Sequence, residues 1–236
     1  MAQILCEEVL ALPARDNIHR VGTFVVNRLF DCDVYGVENI PATGRLLMYY
    51  NHINILDPVL TCAAVPRDVY PVSKEENFNK PIVGYITREY GTISLRRGEV
   101  DTQAFKRSLD ILKQEDVLLV APEGTRSGHG RLQNGKDGPT LMALRSGAPL
   151  IPVGLVGQEH FRSRVRQLRK TPVSIRIGRP FRFVANGSGR VNRDDLRAMT
   201  TEAMRELAGL LPASNRGAYA EGIDEPRKWI TYELEN

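Results

Sequence analysis

Cysteine is scarce in this 236-residue chain. Cys6, Cys32 and Cys62 are an odd number with no C-x-x-C pair, which excludes a disulfide framework and a structural zinc site and predicts free thiols in a reducing compartment. Also missing is any run of about 18 apolar residues, the length a membrane-spanning helix needs. The nearest stretch, 139–157, is broken by Arg145, Ser146, Pro149 and Pro152 and reads as helix, turn and strand. Glu7 and Glu8 stand where an export signal is basic and then apolar, so the expected location is cytoplasmic, in solution or against the inner face of a membrane. No serine sits in a G-x-S-x-G elbow, which argues against a Ser-His-Asp hydrolase. Gly130 to Lys136 has the G-x-x-x-x-G-K spacing of a phosphate loop, but Asp137 stands where a hydroxyl must hold Mg²⁺ and no strand leads directly into it. Nucleotide hydrolysis is therefore set aside.

What is present is ordinary globular material, 42% hydrophobic and 25% charged, enough for one substantial domain with a small appendage. The net charge of +4 is unevenly placed: Arg162, Arg164, Arg166, Arg169 and Lys170 fall within residues 161–170 with no acid among them, so the rest of the chain sums to −1. This decapeptide is either a solvated loop or an anion-binding patch for phosphate headgroups. Only Phe161 interleaves it, which disfavours nucleic acid as a partner.

Along the chain, Ile18, Val21, Val25 and Leu29, with Phe24 beside them, predict an amphipathic helix over 17–30 that packs on its own domain or lies in a membrane interface. Thereafter apolar runs alternate with helical patterns. Strands are expected at 46–50, 69–73, 92–95, 117–121, 150–156 and 173–177, and helices at 58–64, 82–90, 140–145 and 194–211, with a further helix capped by Asp101 or Thr102 whose apolar face is Phe105, Leu109 and Leu112. Residues 213–236 carry no strong pattern. Such alternation predicts an α/β fold: a single layered domain whose central sheet is mixed and largely parallel, flanked by helices, with the N-terminal amphipathic helix added.

In such folds ligands bind beyond the strand ends, where four polar segments stand out. In Asn51-His52-Ile53-Asn54-Ile55-Leu56-Asp57-Pro58, His and Asp five apart on a regular helix would lie roughly 140° from each other. Asp57-Pro58 instead reads as a helix start, Asp as N-cap and Pro first in the helix, leaving His52 in a loop that can fold back. Asp57 can then accept from one imidazole nitrogen while the other faces a substrate hydroxyl; the alternative is a plain cap beside a structural histidine. Arg96 and Arg97 end the second segment, and strand alternation allows only one of them to reach a pocket. Pro122 to Ser127 forms a glycine-containing turn with Thr125 and Arg126, fit to cradle a phosphate. The fourth segment, Gly147 to Val153, offers no reactive side chain.

In order and spacing these segments resemble the glycerolipid acyltransferases, the family of the 1-acyl-sn-glycerol-3-phosphate (lysophosphatidic acid) acyltransferases, over about residues 33–180. The likeness runs from Tyr35-Gly36-Val37-Glu38-Asn39-Ile40-Pro41 through the His-x4-Asp motif of His52 and Asp57, Gly91 to Arg97, the E-G-T-R-S block of Glu123 to Ser127, Lys136 with Gly138, and Ala148 to Val153. Two residues depart from the family pattern: Asn54 replaces a small hydroxyl residue and Ala121 a phenylalanine. The resemblance implies transfer of a fatty acyl group from acyl-CoA or acyl carrier protein to a lysophospholipid hydroxyl. It makes His52 the general base and Asp57 its orienting partner. Arg97 and Arg126 would bind the acceptor's phosphate, with Glu123, Gly124 and Thr125 shaping that site. It requires no metal or bound cofactor. The expected division is a helical segment over 1–32 as a candidate membrane-surface anchor, an acyltransferase domain over 33–212 and a C-terminal tail over 213–236. The acceptor the resemblance favours is 1-acyl-sn-glycerol-3-phosphate, giving phosphatidic acid; glycerol 3-phosphate or another lysolipid is the alternative acceptor, and a non-catalytic peripheral lipid-binding protein could use the same features.

Overall fold

The chain begins its described structure with α1 (Ala14–Leu29) and β1 (Phe30–Tyr35), followed by β2 (Leu46–Tyr50), α2 (Asp57–Ala64), β3 (Val69–Lys74), α3 (Glu75–Phe78), α4 (Pro81–Glu89) and β4 (Ile93–Leu95). Then come α5 (Thr102–Lys113), β5 (Val117–Val120), α6 (Gly138–Ser146), β6 (Leu150–Val156), α7 (Phe161–Arg166), β7 (Thr171–Ile177), β8 (Phe181–Phe183), α8 (Arg193–Gly209) and β9 (Ile230–Tyr232). This is a computed structural model, and it describes residues 14–96, 101–184 and 191–232. Local chemistry marks the helix ends. Asp101 accepts the Ala104 N–H to start α5, Asn192 accepts the Asp195 N–H to start α8, and Gly147, at φ 64°, closes α6 in the left-handed conformation.

The strands form one mixed sheet in the order β1-β7-β6-β2-β5-β3-β4, with β8 beside β6 and β9 beside β8. Pairing is parallel for β1–β7, β2–β5, β2–β6, β3–β5 and β3–β4, and antiparallel where β6 meets β7 and where β8 joins. The predicted α/β class is thus the observed one. β2 and β5 are buried along their whole length, because helices cover both faces of the sheet and an unbroken apolar run is what such a strand requires. One core lies under α1 and α2, joining Val26, Leu60 and Cys62 to Met48, Leu119, Val153 and Ile175. The other lies under α5, α6 and α8, joining Leu112, Ala143, Met204 and Leu207 to Leu47, Tyr49, Leu118 and Leu150.

Three elements differ from expectation. β1 is a strand rather than a featureless lead-in: its burial alternates over Phe30, Cys32 and Val34, and it runs in register beside β7 for six residues. Such a contact, 140 residues away along the chain, leaves little local trace. The basic decapeptide is not a loop throughout, since Phe161–Arg166 is helical, anchored by the Phe161 ring stacked 5.0 Å from that of Phe30. The segment expected as a tail is packed onto the domain as far as it is described: Tyr219 and Trp229 are buried, and the buried carboxylate of Glu202 accepts the N–H groups of Lys228 and Trp229. Helix α1 divides its apolar residues. Ile18, Val26 and Leu29 pack on the core, whereas Val21, Phe24 and Val25 are exposed. No helix among the described residues is long and apolar enough to cross a membrane.

Candidate active site

The parallel strands β2, β5 and β6 bring their C-terminal ends together, and there the polar segments meet. Strand β2 hands over to the His52 loop through Asn51, whose buried side-chain amide extends the ladder: it donates to the Leu155 carbonyl at 2.9 Å and accepts the Leu155 N–H at 2.7 Å. His52 follows at once. Its Nδ1 lies 2.9 Å from Asp57 Oδ2, which also accepts the backbone N–H groups of Ile53 and Asn54 at 2.7 Å each. The predicted pairing is present, by a different local route. Asp57 is the first helical residue and Leu56 occupies the cap position; the carboxylate turns back into the loop instead of capping α2. One oxygen thereby gathers three donors and fixes the loop around the imidazole, leaving Nε2 as the nitrogen available to a substrate. Burial pushes the Asp57 carboxyl above the ordinary range, while the hydrogen bond and charge of His52 and the Asn54 and Ile53 N–H groups pull it down.

Asn54 gains a role the sequence did not announce. Its amide donates to the Gln158 carbonyl at 3.2 Å and its oxygen accepts the Leu56 N–H at 3.3 Å, tying the loop to the turn after β6, a span too long for a small hydroxyl. Tyr50 packs edge-on against the His52 ring, with centroids 5.6 Å apart.

Glu123 was expected beside the phosphate. The structure places it instead beneath the His52 loop, only 3% exposed. Its Oε1 accepts the His52 N–H and its Oε2 the Gln133 N–H, both at 2.8 Å, and Ser127 N–H donates to the His52 carbonyl at 2.7 Å. Burial raises the Glu123 carboxyl above the usual range against these hydrogen bonds. The two loops are therefore stitched into one unit, with Glu123 acting on the position of His52. Gly124, at φ 71°, makes the turn in a conformation that disfavours a side chain, and Lys136 crosses over it. Thr125 and Arg126 are exposed at the rim of the site. Arg97 lies outside the described residues. Arg96 is engaged elsewhere: its N–H donates to Asp101, and its guanidinium lies 3.7 Å from the same carboxylate.

The loop carrying Arg126 and Lys136 is held from behind by residues after α8. Leu132 N–H donates to the Asn215 carbonyl, Asn215 Nδ2 to the Gly130 carbonyl and Gly135 N–H to the Tyr219 hydroxyl, at 2.9, 2.9 and 3.0 Å. Arg197 on α8 adds a bond to the Gly135 carbonyl at 2.6 Å. Sequence reading missed this clamp, because the partners are separated by some 85 residues along the chain and each is an ordinary polar residue.

A cleft of about 1460 Å³ opens from these residues. His52, Gly124, Thr125, Arg126, Lys136 and Gly138 line its polar end; Ile18, Val21, Val25, Val59, Ala63 and Ile86 line the part beneath α1 and α4. Around it are apolar side chains with nothing to cover them: Phe24 is 71% and Ile82 75% exposed, and Val21, Ile55 and Tyr85 are also exposed. The basic residues of α7 lie at the same end of the sheet, following β6, and Leu168, just past the helix, is 96% exposed. They do not line the cleft. Among the described residues no cluster of three or more His, Cys, Asp or Glu is placed to hold a metal ion.

A His–Asp pair at the polar end of a large apolar cleft, with cations on the wall, is the arrangement expected for chemistry on an amphiphile. The sequence model of the family described as Acyltransferase matches residues 31–156, more than half of the chain. The chloroplastic 1-acyl-sn-glycerol-3-phosphate acyltransferase BAT2 of Brassica napus is 30% identical over 131 residues, covering 54% of this chain and 38% of its own length. The 1-acyl-sn-glycerol-3-phosphate acyltransferase of Borreliella burgdorferi is 26% identical over 130 residues, covering 54% of this chain and 52% of its own. The chain thus spans well under two thirds of these relatives. The crystal structure of the 1-acyl-sn-glycerophosphate (LPA) acyltransferase PlsC from Thermotoga maritima shares the fold, with a TM-score of 0.64 at 24% identity over 89% of this chain and 86% of that one. On the extent of the family match, which takes in both the His52–Asp57 loop and the Glu123–Ser127 turn, the chain belongs to the acyltransferase family.

Proposed function

We propose that the protein transfers a fatty acyl group from a thioester, acyl-CoA or acyl carrier protein, to the free hydroxyl of a lysophospholipid, 1-acyl-sn-glycerol-3-phosphate, giving phosphatidic acid. The observation that carries this reading is the 2.9 Å His52–Asp57 pair at the polar end of an apolar cleft whose wall holds Arg126 and Lys136. With Nδ1–H held by Asp57, Nε2 of His52 takes the acceptor's proton as the oxygen attacks the thioester carbonyl. The tetrahedral intermediate collapses with loss of the thiolate, which takes the proton back from the imidazolium. Asp57 holds the tautomer and stabilises the charge on His52 meanwhile. No acyl-enzyme is needed. General-base assistance of this kind is worth about 10² to 10⁴ in rate. Arg126 and Lys136 receive the phosphate, joined by Arg97, and Gly124 and Thr125 shape their turn.

The same reading assigns the protein to the inner face of a membrane as a peripheral, cytoplasmic enzyme. Val21, Phe24, Ile82 and Tyr85 insert, while Arg162, Arg164, Arg166, Arg169 and Lys170 face anionic headgroups; the support is the exposure of the first group and the charge of the second. The test is release of free thiol from acyl-CoA with lysophosphatidic acid, glycerol 3-phosphate and other lysolipids as acceptors. Release that depends on lysophosphatidic acid and vanishes in His52→Ala is expected. Lysolipid binding without thiol release would replace the enzyme with a lipid-binding protein, and release with glycerol 3-phosphate alone would change the acceptor.

A further inference from the structure

The His52 loop has a second tether, away from the Glu123–Ser127 turn. Asn54 gives its backbone N–H to Asp57 Oδ2 at 2.7 Å, while its side-chain amide donates to the Gln158 carbonyl at 3.2 Å. One residue thus joins the carboxylate that holds the imidazole to the turn after β6. Gln158 is fixed from the sheet side, being fully buried with its own amide donating at 3.3 Å to the Leu155 carbonyl, which also accepts from Asn51. On its other side a single 3₁₀ turn, Gln158–His160, runs without a break into α7 and the basic residues.

Helix α7 is marginal by construction. It has six residues, against the roughly 12–15 below which a helix on its own barely holds in water. Arg162 and Arg166 stand at i and i+4, a like-charge pair that disfavours the helix, and Arg164, Arg169 and Lys170 add to the repulsion with no acid among residues 161–170. Leu168, in the turn that follows, has a φ of 53°, a left-handed conformation that strains any residue but glycine. Phe161 packs on the core at the start of α7, but Val165, one turn on, is exposed. An element with so little burial sits at the low end of local stability, and anions that cancel its repulsion shift it toward the ordered form. We propose that Asn54 is a positioning residue through which the segment 158–170, once seated on an anionic surface, steadies the His52–Asp57 pair; this rests on the acyl-transfer reading of the site and on the placement of the basic residues against headgroups. Seating α7 fixes the Gln158 carbonyl, the carbonyl fixes the Asn54 amide, and the Asn54 N–H keeps Asp57 Oδ2 where His52 Nδ1 meets it. Turnover then responds to the surface even when both substrates are in free solution.

The full chain is assayed for thiol release with a short-chain acyl-CoA and a short-chain lysophosphatidic acid, both kept in solution, without vesicles and with vesicles of phosphatidylcholine or of phosphatidylglycerol. In the parent, phosphatidylglycerol should raise kcat a few-fold, up to about tenfold, which is what one hydrogen bond contributes, with the acceptor's KM little changed. Phosphatidylcholine should not. Asn54→Ser keeps a hydroxyl that can accept the Leu56 N–H across the short turn but cannot reach Gln158, so it should sediment with phosphatidylglycerol as the parent does and lose the increase. Changing Arg162, Arg166 and Arg169 to Gln should remove the increase although the apolar rim still carries part of the protein to the vesicles. Amide exchange at residues 53–56 and 158–169 of the parent should slow together on phosphatidylglycerol, a readout that stands even if Asn54→Ser folds poorly. The proposal is overturned if Asn54→Ser keeps the increase, if phosphatidylcholine produces it equally, if the parent shows none, or if exchange slows at 158–169 alone. Absence of transfer by the unaltered protein under every condition would instead sink the acyl-transfer reading beneath it.

Discussion

The polar end of the cleft and the apolar rim around it are built on opposite principles. At the polar end the positioning contacts are redundant: Asp57 Oδ2 gathers three donors, Glu123 holds one N–H from each of two loops, and Asn215 and Tyr219 clamp the same loop from behind. At the rim, Val21, Phe24, Ile82 and Tyr85 are large, apolar and uncovered. Helix α5 shows that the contrast is not forced by helix packing, because its outer positions carry Lys106, Arg107, Asp110 and Lys113. A side chain that water would have selected as charged is apolar on α1 and α4. On the proposed function the contrast is a division of labour, with rigidity spent where a proton would move and apolar area left open where a bilayer would take it.

The sharpest way to test that division is to remove chemistry without touching structure. His52→Ala should lower turnover at least about a hundredfold while the melting temperature stays close to that of the parent, since the loop keeps the Asp57, Glu123 and Ser127 contacts to its backbone. Asp57→Asn should do nearly the same: an amide oxygen still accepts from the loop, but the charge that stabilises the imidazolium is gone. Wild-type turnover in both would break the comparison at its polar end. At the rim the expectation reverses. Phe24→Ser with Ile82→Ser removes apolar contacts worth about 1.5–3 kcal/mol each when fully buried, so sedimentation with anionic vesicles should fall more than tenfold while turnover on a soluble short-chain acceptor holds. Changing Arg162, Arg166 and Arg169 to Gln should weaken the salt-sensitive part of binding, at about 1 kcal/mol per cation, and leave the salt-resistant part.

How much of this was legible in the sequence follows the same line. β2, β5 and β6 announce themselves because strands buried on both faces must be apolar runs, and the His52–Asp57 pair could be read because a Pro after Asp starts a helix and puts the histidine in a loop. The carboxylate's direction could not be read. Capping α2 and gathering the loop use the same residue, and only the loop's path decides between them. Glu123 was placed at the phosphate for a similar reason: sequence puts it beside Arg126, but a buried acid with two backbone N–H groups to satisfy turns inward. β1 and the clamp of Asn215 and Tyr219 were invisible, being made by contacts across the whole chain.

Smaller effects sharpen the polar end. Arg126→Lys keeps charge and loses the paired geometry of a guanidinium, so the acceptor's KM should rise about tenfold with the donor's little changed. Tyr219→Phe leaves the Gly135 N–H without its hydroxyl partner, a penalty of about 1–3 kcal/mol on the buried group, and should raise the acceptor's KM a few-fold through the loop that carries Lys136. An equal rise in donor and acceptor KM would mean the clamp merely stabilises the fold.

The smallest expected effect is in stability against pH. Burial raises the Glu123 carboxyl above its ordinary value, so the folded chain holds that proton more tightly than the unfolded one. Its contribution to stability is therefore complete below the ordinary glutamate pKa of about 4.3 and is lost as pH climbs through the raised folded value. Glu123→Gln cannot titrate there. The melting temperature of the parent minus that of the variant should shrink as pH rises from about 4 to 7, each 1 kcal/mol lost counting for about 2–4 °C in a chain this size. Ile82→Ser, which removes no titrating group, should follow the parent across the same window and so assign the pH dependence to the clamped end. A difference that widened with pH would mean the N–H groups of His52 and Gln133 outweigh burial and hold the carboxyl below its ordinary value.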